Sequence, residues 1–379
     1  MIKIKKEMVL LNPKNIKPSS GVFEVIGVFN PGAVRLPNGD IVLYVRVSER
    51  LIKDKDDKYY YSPRFVGKNE FKIKIDKFSK EAIVEKTDIS LIFKDGTKRL
   101  TFISYLKRVV LDKTGFKVKS VDKKPSFFGL LWDGELGIED PRITKINKLY
   151  IMTYVSLSRR TNISTSYAVS NDCLRWHREG VIFVEQNKDA VLFPERVNNE
   201  YIAFNRPESA FQFSLPHIWI SYSKNLKFWG KATPIKLPEK TGFDYVKVGA
   251  GPPPIKTEKG WLLLYHAVSR QKKEKSFIDN IKSVFIQMDK KITYYSIGAA
   301  LFNLKNPKKL IAKSESPILT PDKDYEKGTF MENIRVVFPT GLILDENKED
   351  VLIFSGVGDT AVTAKKVCLN DILRCLKKV

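Results

Sequence analysis

Gly32-Ala-Val-Arg-Leu-Pro-Asn-Gly-Asp-Ile-Val-Leu-Tyr-Val-Arg46 is an apolar β-rich run, a polar turn at Asn38-Gly39, and a second β-rich run. Asn-Gly between two such runs is a strong short-range signal for a β-hairpin. The pattern recurs at Arg142–Val155, at Glu195–Arg206 with its turn at Asn198-Asn199, at Pro254–His266, and at Val336–Asp345 running on to Val351–Phe354. A second element repeats too. Ser170-Asn-Asp-Cys-Leu-Arg-Trp176 and Ser223-Lys-Asn-Leu-Lys-Phe-Trp229 match at a distance of 53 residues, each reading as a turn between outer strands with a tryptophan packed beneath.

Five hairpins, each extended by further strands, predict an all-β chain. The expected fold is a five-bladed β-propeller with inserted segments and a short C-terminal helix in the amphipathic tail Val367–Leu376. No Pro/Gly/Ser linker divides residues 1–379, so one domain is expected. The repeats are unevenly spaced, which calls for insertions around 49–124 and 270–293. The second carries seven basic and three acidic residues, with Phe277, Ile281, Val284, Phe285 and Met288 giving it amphipathic character. It reads as a lid, as a contact in a homo-oligomer, or as a plain surface excursion.

The whole chain has 379 residues, 43% of them hydrophobic, which excludes global disorder. Its formal net charge is +23. The lysines are scattered rather than clustered, and no nucleic-acid-binding signature accompanies them, so the charge reads as a solvated surface that also favours anionic small substrates. Three cysteines, Cys173, Cys368 and Cys375, lack metal spacing and suggest a reducing compartment. There is no signal-like leader and no apolar run approaching 18 residues, so a cytoplasmic protein without a membrane span is expected.

In a propeller the first strands line a central depression, so polar residues at matching hairpin edges converge there. The candidates are Asn30 and Arg46 around the first hairpin, Glu139 and Asp140 before the second, and Lys188 and Asp189 before the third. Arg206 ends the third, Lys247 precedes the fourth, His266 ends it, and Asp359 ends the fifth. Gly249-Ala-Gly251 is followed by three prolines and reads as close backbone approach to a ligand, not as a dinucleotide site. His177, His217 and His266 have no metal-ligand spacing; no metal and no organic cofactor is expected.

Seven segments in order then carry a resemblance. They are Phe29-Asn-Pro-Gly-Ala33, Glu139-Asp-Pro-Arg-Ile143, Lys188-Asp-Ala-Val-Leu-Phe-Pro-Glu195, Arg206-Pro207, Lys247–Thr257, Gly260-Trp-Leu-Leu-Leu-Tyr-His266 and Val336-Val-Phe-Pro-Thr-Gly341. Together they resemble glycoside hydrolase family 130, the β-mannoside phosphorylases and related mannosidases. The resemblance implies inverting phosphorolysis of β-mannosides to α-mannose 1-phosphate, with inorganic phosphate as co-substrate. It implies Asp140 as proton donor, through a hydroxyl of the bound mannosyl unit. Arg206, Lys247 and His266, with Lys188 beside them, would hold phosphate. Asn30, Arg46, Glu139, Asp189 and Asp359 would contact the mannosyl unit, and His217 and Tyr295 the acceptor sugar.

The physical logic agrees. A hydrolase needs an acid and a second carboxylate that activates water. A phosphorylase needs the acid and a cation cluster to hold an anionic nucleophile. The chain departs from the family in carrying Lys188 where arginine is common, Ala267 where glycine is usual, and Asn303-Leu304 where Asp-Leu is usual. Alternatives are an inverting β-mannosidase with Glu195 or Asp359 as base, and a carbohydrate-binding propeller without catalysis.

Overall fold

The computed structural model describes residues 2–209, 213–237, 242–272, 291–327 and 333–379. It is all-β with one short α-helix among the described residues. Three separate antiparallel sheets have four strands each. The first holds Phe23–Arg35, Ile41–Leu51, Phe102–Leu111 and Val118–Val121. The second holds Gly137–Ile146, Leu149–Ser158, Asn162–Ser170 and His177–Phe183. The third holds Asn187–Leu192, Tyr201–Pro207, Trp219–Ser223 and Gly230–Pro234.

The remaining ten-stranded sheet divides at a short parallel pairing of Thr293–Tyr295 with Ile334–Val336. Its fourth unit is built on Lys247–Ala250, Gly260–Lys272, Lys291–Phe302 and Leu310–Ser314. Its fifth unit holds Ile334–Leu344, Asp350–Val357, Ala361–Cys368 and the N-terminal strand Ile4–Leu11. That last pairing, Ile4 opposite Val367 and Val9 opposite Thr363, ties the two ends of the chain together.

Alternation along the strands explains how the units pack. On Ile41–Val47, Ile41, Leu43, Val45 and Val47 face an apolar cluster shared with Leu352 and Phe354 of the fifth unit. Val42 and Tyr44 point the other way, into a cluster with Ile138, Met152 and Tyr154 of the second. Further clusters lie between the second and third units (Ile151, Leu192), the third and fourth (Phe204, Trp261) and the fourth and fifth (Leu264, Ile353). Strands buried on both faces are apolar where they meet these clusters, and their buried polar residues, such as Arg46, Ser48 and Glu49, gather towards one end of the strand.

The two matched turns sit between the third and fourth strands of their sheets. The Ser170 hydroxyl accepts from Cys173 N–H at 2.9 Å, and the Ser223 hydroxyl from Asn225 N–H at 3.2 Å. Trp176 packs edge-on to Tyr44 and Trp229 against Phe183.

Two expectations need correction. The third hairpin's first strand is Asn187–Leu192, not the stretch from Glu195; 193–200 is its connection, with Asn198 and Asn199 at positive φ. Likewise Asn30, Glu139, Asp140, Lys188 and Asp189 lie inside inner strands, not ahead of them. Between Leu51 and Phe102 a two-stranded sheet (Tyr59–Phe65, Ile73–Ser79) and a three-stranded one (Ile83–Lys86, Ser90–Phe93, Lys98–Leu100) are inserted. Most of the expected lid or oligomer contact, including Phe277 to Met288, lies outside the described residues. The helix Leu369–Arg374 buries Ile372. Among the described residues no helix is long and apolar enough to cross a membrane.

Candidate active site

Three inner strands carry the same local fault. Phe29 pairs with Arg46 and Gly32 with Tyr44, so Asn30-Pro31 holds one residue more than the partner strand. Asp140-Pro141 does so between Glu139 and Arg142, and Asp189-Ala190 between Lys188 and Val191. Each β-bulge puts its first residue at positive φ: 47° at Asn30, 47° at Asp140 and 57° at Asp189. Asn and Asp tolerate that conformation better than other residues with a Cβ, and a bulge re-aims the side chain. The residue before each bulge also faces a fixed position on the second strand. That register places Arg46 opposite Phe29 and Arg206 opposite Lys188; in the fourth unit His266 stands opposite Gly249.

The bulges bring distant residues together. Asn30 Nδ2 donates to Asp140 Oδ1 at 2.8 Å. Arg46 reaches Asp140 at 3.2 Å and Glu139 at 2.6 Å, and its Nε donates to the Ser104 hydroxyl at 3.2 Å. Lys188 Nζ stands 3.4 Å from the other oxygen of Glu139. Beside this group Arg206 Nε donates to Asp189 Oδ2 at 2.7 Å, and its Nη1 also binds Glu208. His266 Nε2 lies 3.5 Å from the same Asp189 oxygen, and the ring packs on Phe338 with centroids 4.5 Å apart. Lys247 lies over Tyr295 at 5.9 Å and makes no ion pair among the described residues.

Arg142 joins the two groups. It is fully buried, donates to the Asp140 carbonyl at 2.8 Å and the Gly251 carbonyl at 2.6 Å, and stands 3.9 Å from Asp189 Oδ1. Its motif was visible in the sequence but its role was not, because the role depends on strands of three different units. Gly249 was read as allowing a ligand to approach. Its neighbour is protein instead: a Cβ there would lie 2.2 Å from Asp189 Oδ2 and 2.2 Å from His266 Cε1.

The electrostatics follow from these placements. Burial opposes ionisation of Asp140, but Arg46, Arg142, Lys188 and the Asn30 hydrogen bond outweigh it and hold the carboxyl below its ordinary range. Asp189 is likewise buried, yet Arg206, His266 and Arg142 hold it well below that range. Asp359, at positive φ in the turn after Val357, goes the other way. Burial, with the negative charges of Asp140 and Glu139, pushes it up to about 6 against the pull of Arg46. Burial pulls His266 down to about 3 despite Asp189, so the imidazole is neutral at pH 7, and its Nδ1 is buried without a hydrogen-bond partner. Burial and the charge of Arg206 pull the Lys247 amine below its ordinary value.

A cavity of about 1110 Å³ opens on this constellation. Asn30, Arg46, Glu139, Asp140, Lys188, Tyr295 and Asp359 line it, whereas Arg206, Lys247 and His266 do not. His217 does not line the cavity: its ring nitrogen contacts the Leu215 carbonyl at 2.7 Å and its ring stacks on Trp219, while the neighbouring Pro216 carbonyl accepts from Val248 N–H at 3.2 Å, next to Lys247. Glu195, one expected base for a hydrolase, is exposed and paired with Lys256 at 2.6 Å. Among the described residues no three His, Cys, Asp or Glu side chains are grouped to hold a metal ion.

A family profile described as β-1,4-mannooligosaccharide phosphorylase matches residues 115–378. The chain belongs to glycoside hydrolase family 130. Among characterised members, the β-1,2-mannobiose phosphorylase of Listeria innocua is 29% identical over 98% of this chain and 97% of its own. A 1,2-β-oligomannan phosphorylase of a Thermoanaerobacter species is 32% identical over 78% of this chain and 90% of its own. The solved structure of the Listeria enzyme with β-1,2-mannobiose superposes with a TM-score of 0.81, covering 97% of this chain and 96% of that one.

Proposed function

We propose that this protein is an inverting β-mannoside phosphorylase in which Asp140 supplies the proton and Arg206, Lys247 and His266, flanked by Lys188, hold inorganic phosphate. The observation that carries this is Lys247: a largely buried amine with no ion pair among the described residues, whose basicity is lowered first by burial and then by the charge of Arg206. Cations held against their own repulsion favour an incoming anion. Arg206 offers a planar fork and Lys247 a point charge, which together would orient phosphate towards the anomeric carbon.

In this reading a phosphate oxygen forms the new bond to C1 as the bond from C1 to the glycosidic oxygen breaks. The leaving oxygen takes a proton that originates on Asp140, relayed through a mannosyl hydroxyl. The free site holds Asp140 ionised, so the donor must gain its proton as the complex forms. Phosphate, by offsetting the surrounding cations, would raise its affinity for one. Asn30, Arg46, Glu139, Asp189 and Asp359 would position the mannosyl unit, and Tyr295 would border the acceptor. The cyclic order of the apolar clusters, ending where the N-terminal strand joins the fifth unit, supports a single five-bladed propeller around this site.

The reading is tested with β-1,2-mannobiose, the substrate in the name of the Listeria relative, with and without phosphate. Formation of mannose 1-phosphate only when phosphate is present is the expected outcome. Release of free mannose at the same rate without phosphate would refute phosphorolysis. One observation favours hydrolysis: Asp359 is a cavity-lining carboxyl whose side chain makes no hydrogen bond among the described residues, and it could activate water. The same assay decides between them.

A further inference from the structure

The inserted hairpin Ser90–Phe93 and Lys98–Leu100 forms part of the wall of the cavity that holds Asp140, contributing Ile89, Asp95–Leu100 and, at its end, Phe102. Arg159 and Ser158 of the second sheet complete this part of the wall. Asn30 and Asp140 of the inner-strand bulges line the same cavity as this hairpin, so a substrate seated at Asp140 has the hairpin within the same enclosure.

The charges on this wall and next to it are unevenly matched. Arg64 is bound to Asp76 at 2.6 Å. Arg159 takes both oxygens of Glu135, at 2.6 and 3.0 Å. Asp95 is turned onto Thr97, accepting from its backbone N–H at 2.9 Å and its hydroxyl at 2.7 Å. Arg99 is left over. It is half-buried, has no carboxylate partner among the described residues, and its one hydrogen-bond acceptor is the Lys98 carbonyl at 3.3 Å. Its Nε is shielded from solvent without a partner, and its guanidinium lies 5.9 Å from the Phe78 ring. Burial, and then the positive charge of Arg159, weaken its hold on the proton against the pull of Glu135 and Asp76, which are themselves engaged by Arg159 and Arg64. A guanidinium stays charged even so, and its fork matches phosphate or carboxylate. Lys98, exposed next to it, adds a second positive charge to the same wall.

We propose that Arg99 receives an anionic group on the leaving-group end of the substrate, so that the favoured acceptor sugars are acidic, bearing a phosphate or a carboxylate. This rests on the phosphorylase reading and deepens it. The test runs the reaction in the synthetic direction: the mannosyl unit of α-mannose 1-phosphate passes to an acceptor hydroxyl, which loses its proton, and inorganic phosphate is released. The acceptors are mannose, mannose 6-phosphate and glucuronic acid, and the readout is the ratio of kcat/KM for charged over neutral acceptor.

The native enzyme is expected to prefer a charged acceptor by about tenfold or more, the size of one charge-assisted hydrogen bond. Arg99→Gln should bring the ratio close to one, and Arg99→Lys should leave it in between. Preference for mannose 6-phosphate alone identifies phosphate as the group received; preference for both acids identifies anionic charge in general. Equal efficiency on neutral and charged acceptors, or an undiminished ratio in Arg99→Gln, overturns the inference while leaving phosphorolysis standing. Failure to transfer mannose to any acceptor overturns the phosphorylase reading, and this inference with it.

Discussion

Gly249→Ala places one methyl group where the site leaves no room. The added carbon would lie 2.2 Å from Asp189 Oδ2 and 2.2 Å from His266 Cε1, so a neighbour must retreat by about 1.2 Å to reach the 3.4 Å of ordinary contact. Neither neighbour is free to move. Asp189 is held by Arg206 at 2.7 Å, with Arg142 at 3.9 Å, and His266 is packed against Phe338. Inserting a methyl into such a site costs about 1–3 kcal/mol of stability. A displacement of roughly 1 Å among groups that orient reactants lowers turnover by about 100-fold. The assay pairs denaturant unfolding with phosphorolysis kinetics at varied phosphate. The expected variant folds, melts earlier and shows its loss chiefly in the response to phosphate, because Arg206 moves with Asp189. Native kinetics together with a native unfolding midpoint would refute the packing argument and the placing of Asp189 and His266 beside the phosphate cations.

Asp140→Asn should lower turnover by about 100-fold to 10,000-fold in a protein that still folds, with a lower unfolding midpoint because Arg46 and Lys188 lose a buried negative neighbour, and retained turnover would put the proton donor elsewhere. Arg206→Ala should raise the KM for phosphate at least about tenfold and cost about 3–5 kcal/mol of stability, because it leaves Asp189 buried without its closest partner. Arg206→Lys should recover part of the phosphate affinity, and an unchanged KM in the alanine variant would remove Arg206 from the phosphate site. Asp359 titrates near 6 in the folded protein against 3.8 for the free side chain. The folded state therefore keeps a proton that the unfolded chain loses, so this stabilisation is full below about pH 4 and gone above about pH 6. Asp359→Asn should remove that decline. The comparison with the native protein isolates it from His266, whose depressed value acts in the opposite sense, giving stability above 6.5 that fades towards 3. Parallel stability curves for native and Asp359→Asn protein across this range would show that Asp359 is not held protonated.

Residues whose conformation is set by near neighbours could be read directly. Asn38-Gly39 makes a turn because glycine reaches a φ of 89° without strain. Ser170 and Ser223 cap their own turns through N–H groups two or three residues on. The bulges were harder. Asp140 before Pro141 looks like a turn former, and only its register against Val155 and Thr153 shows that it interrupts a continuing strand. The third hairpin was misplaced for the same reason: Asn198-Asn199 is a true turn, but the strand pairing with Tyr201–Pro207 begins eleven residues before it, at Asn187. Arg99 gave no signal at all, because a cation in a polar hairpin looks solvated until the carboxylates around it are seen to be taken.

Alternation of apolar residues and the residue types at turns determined, without any coordinates, that this chain builds repeated antiparallel hairpins, and the ordered motifs determined its family. Such preferences act over a few residues, so they survive in a linear text. What only the tertiary structure decided is which charges meet: Asn30 with Asp140, Lys188 with Glu139, Arg142 with Asp189. Coulomb energies and desolvation depend on distance through space and on what surrounds each group, and strands far apart in the chain supply both. The neutral imidazole of His266, the raised carboxyl of Asp359 and the unmatched guanidinium of Arg99 therefore exist only once the sheets have packed.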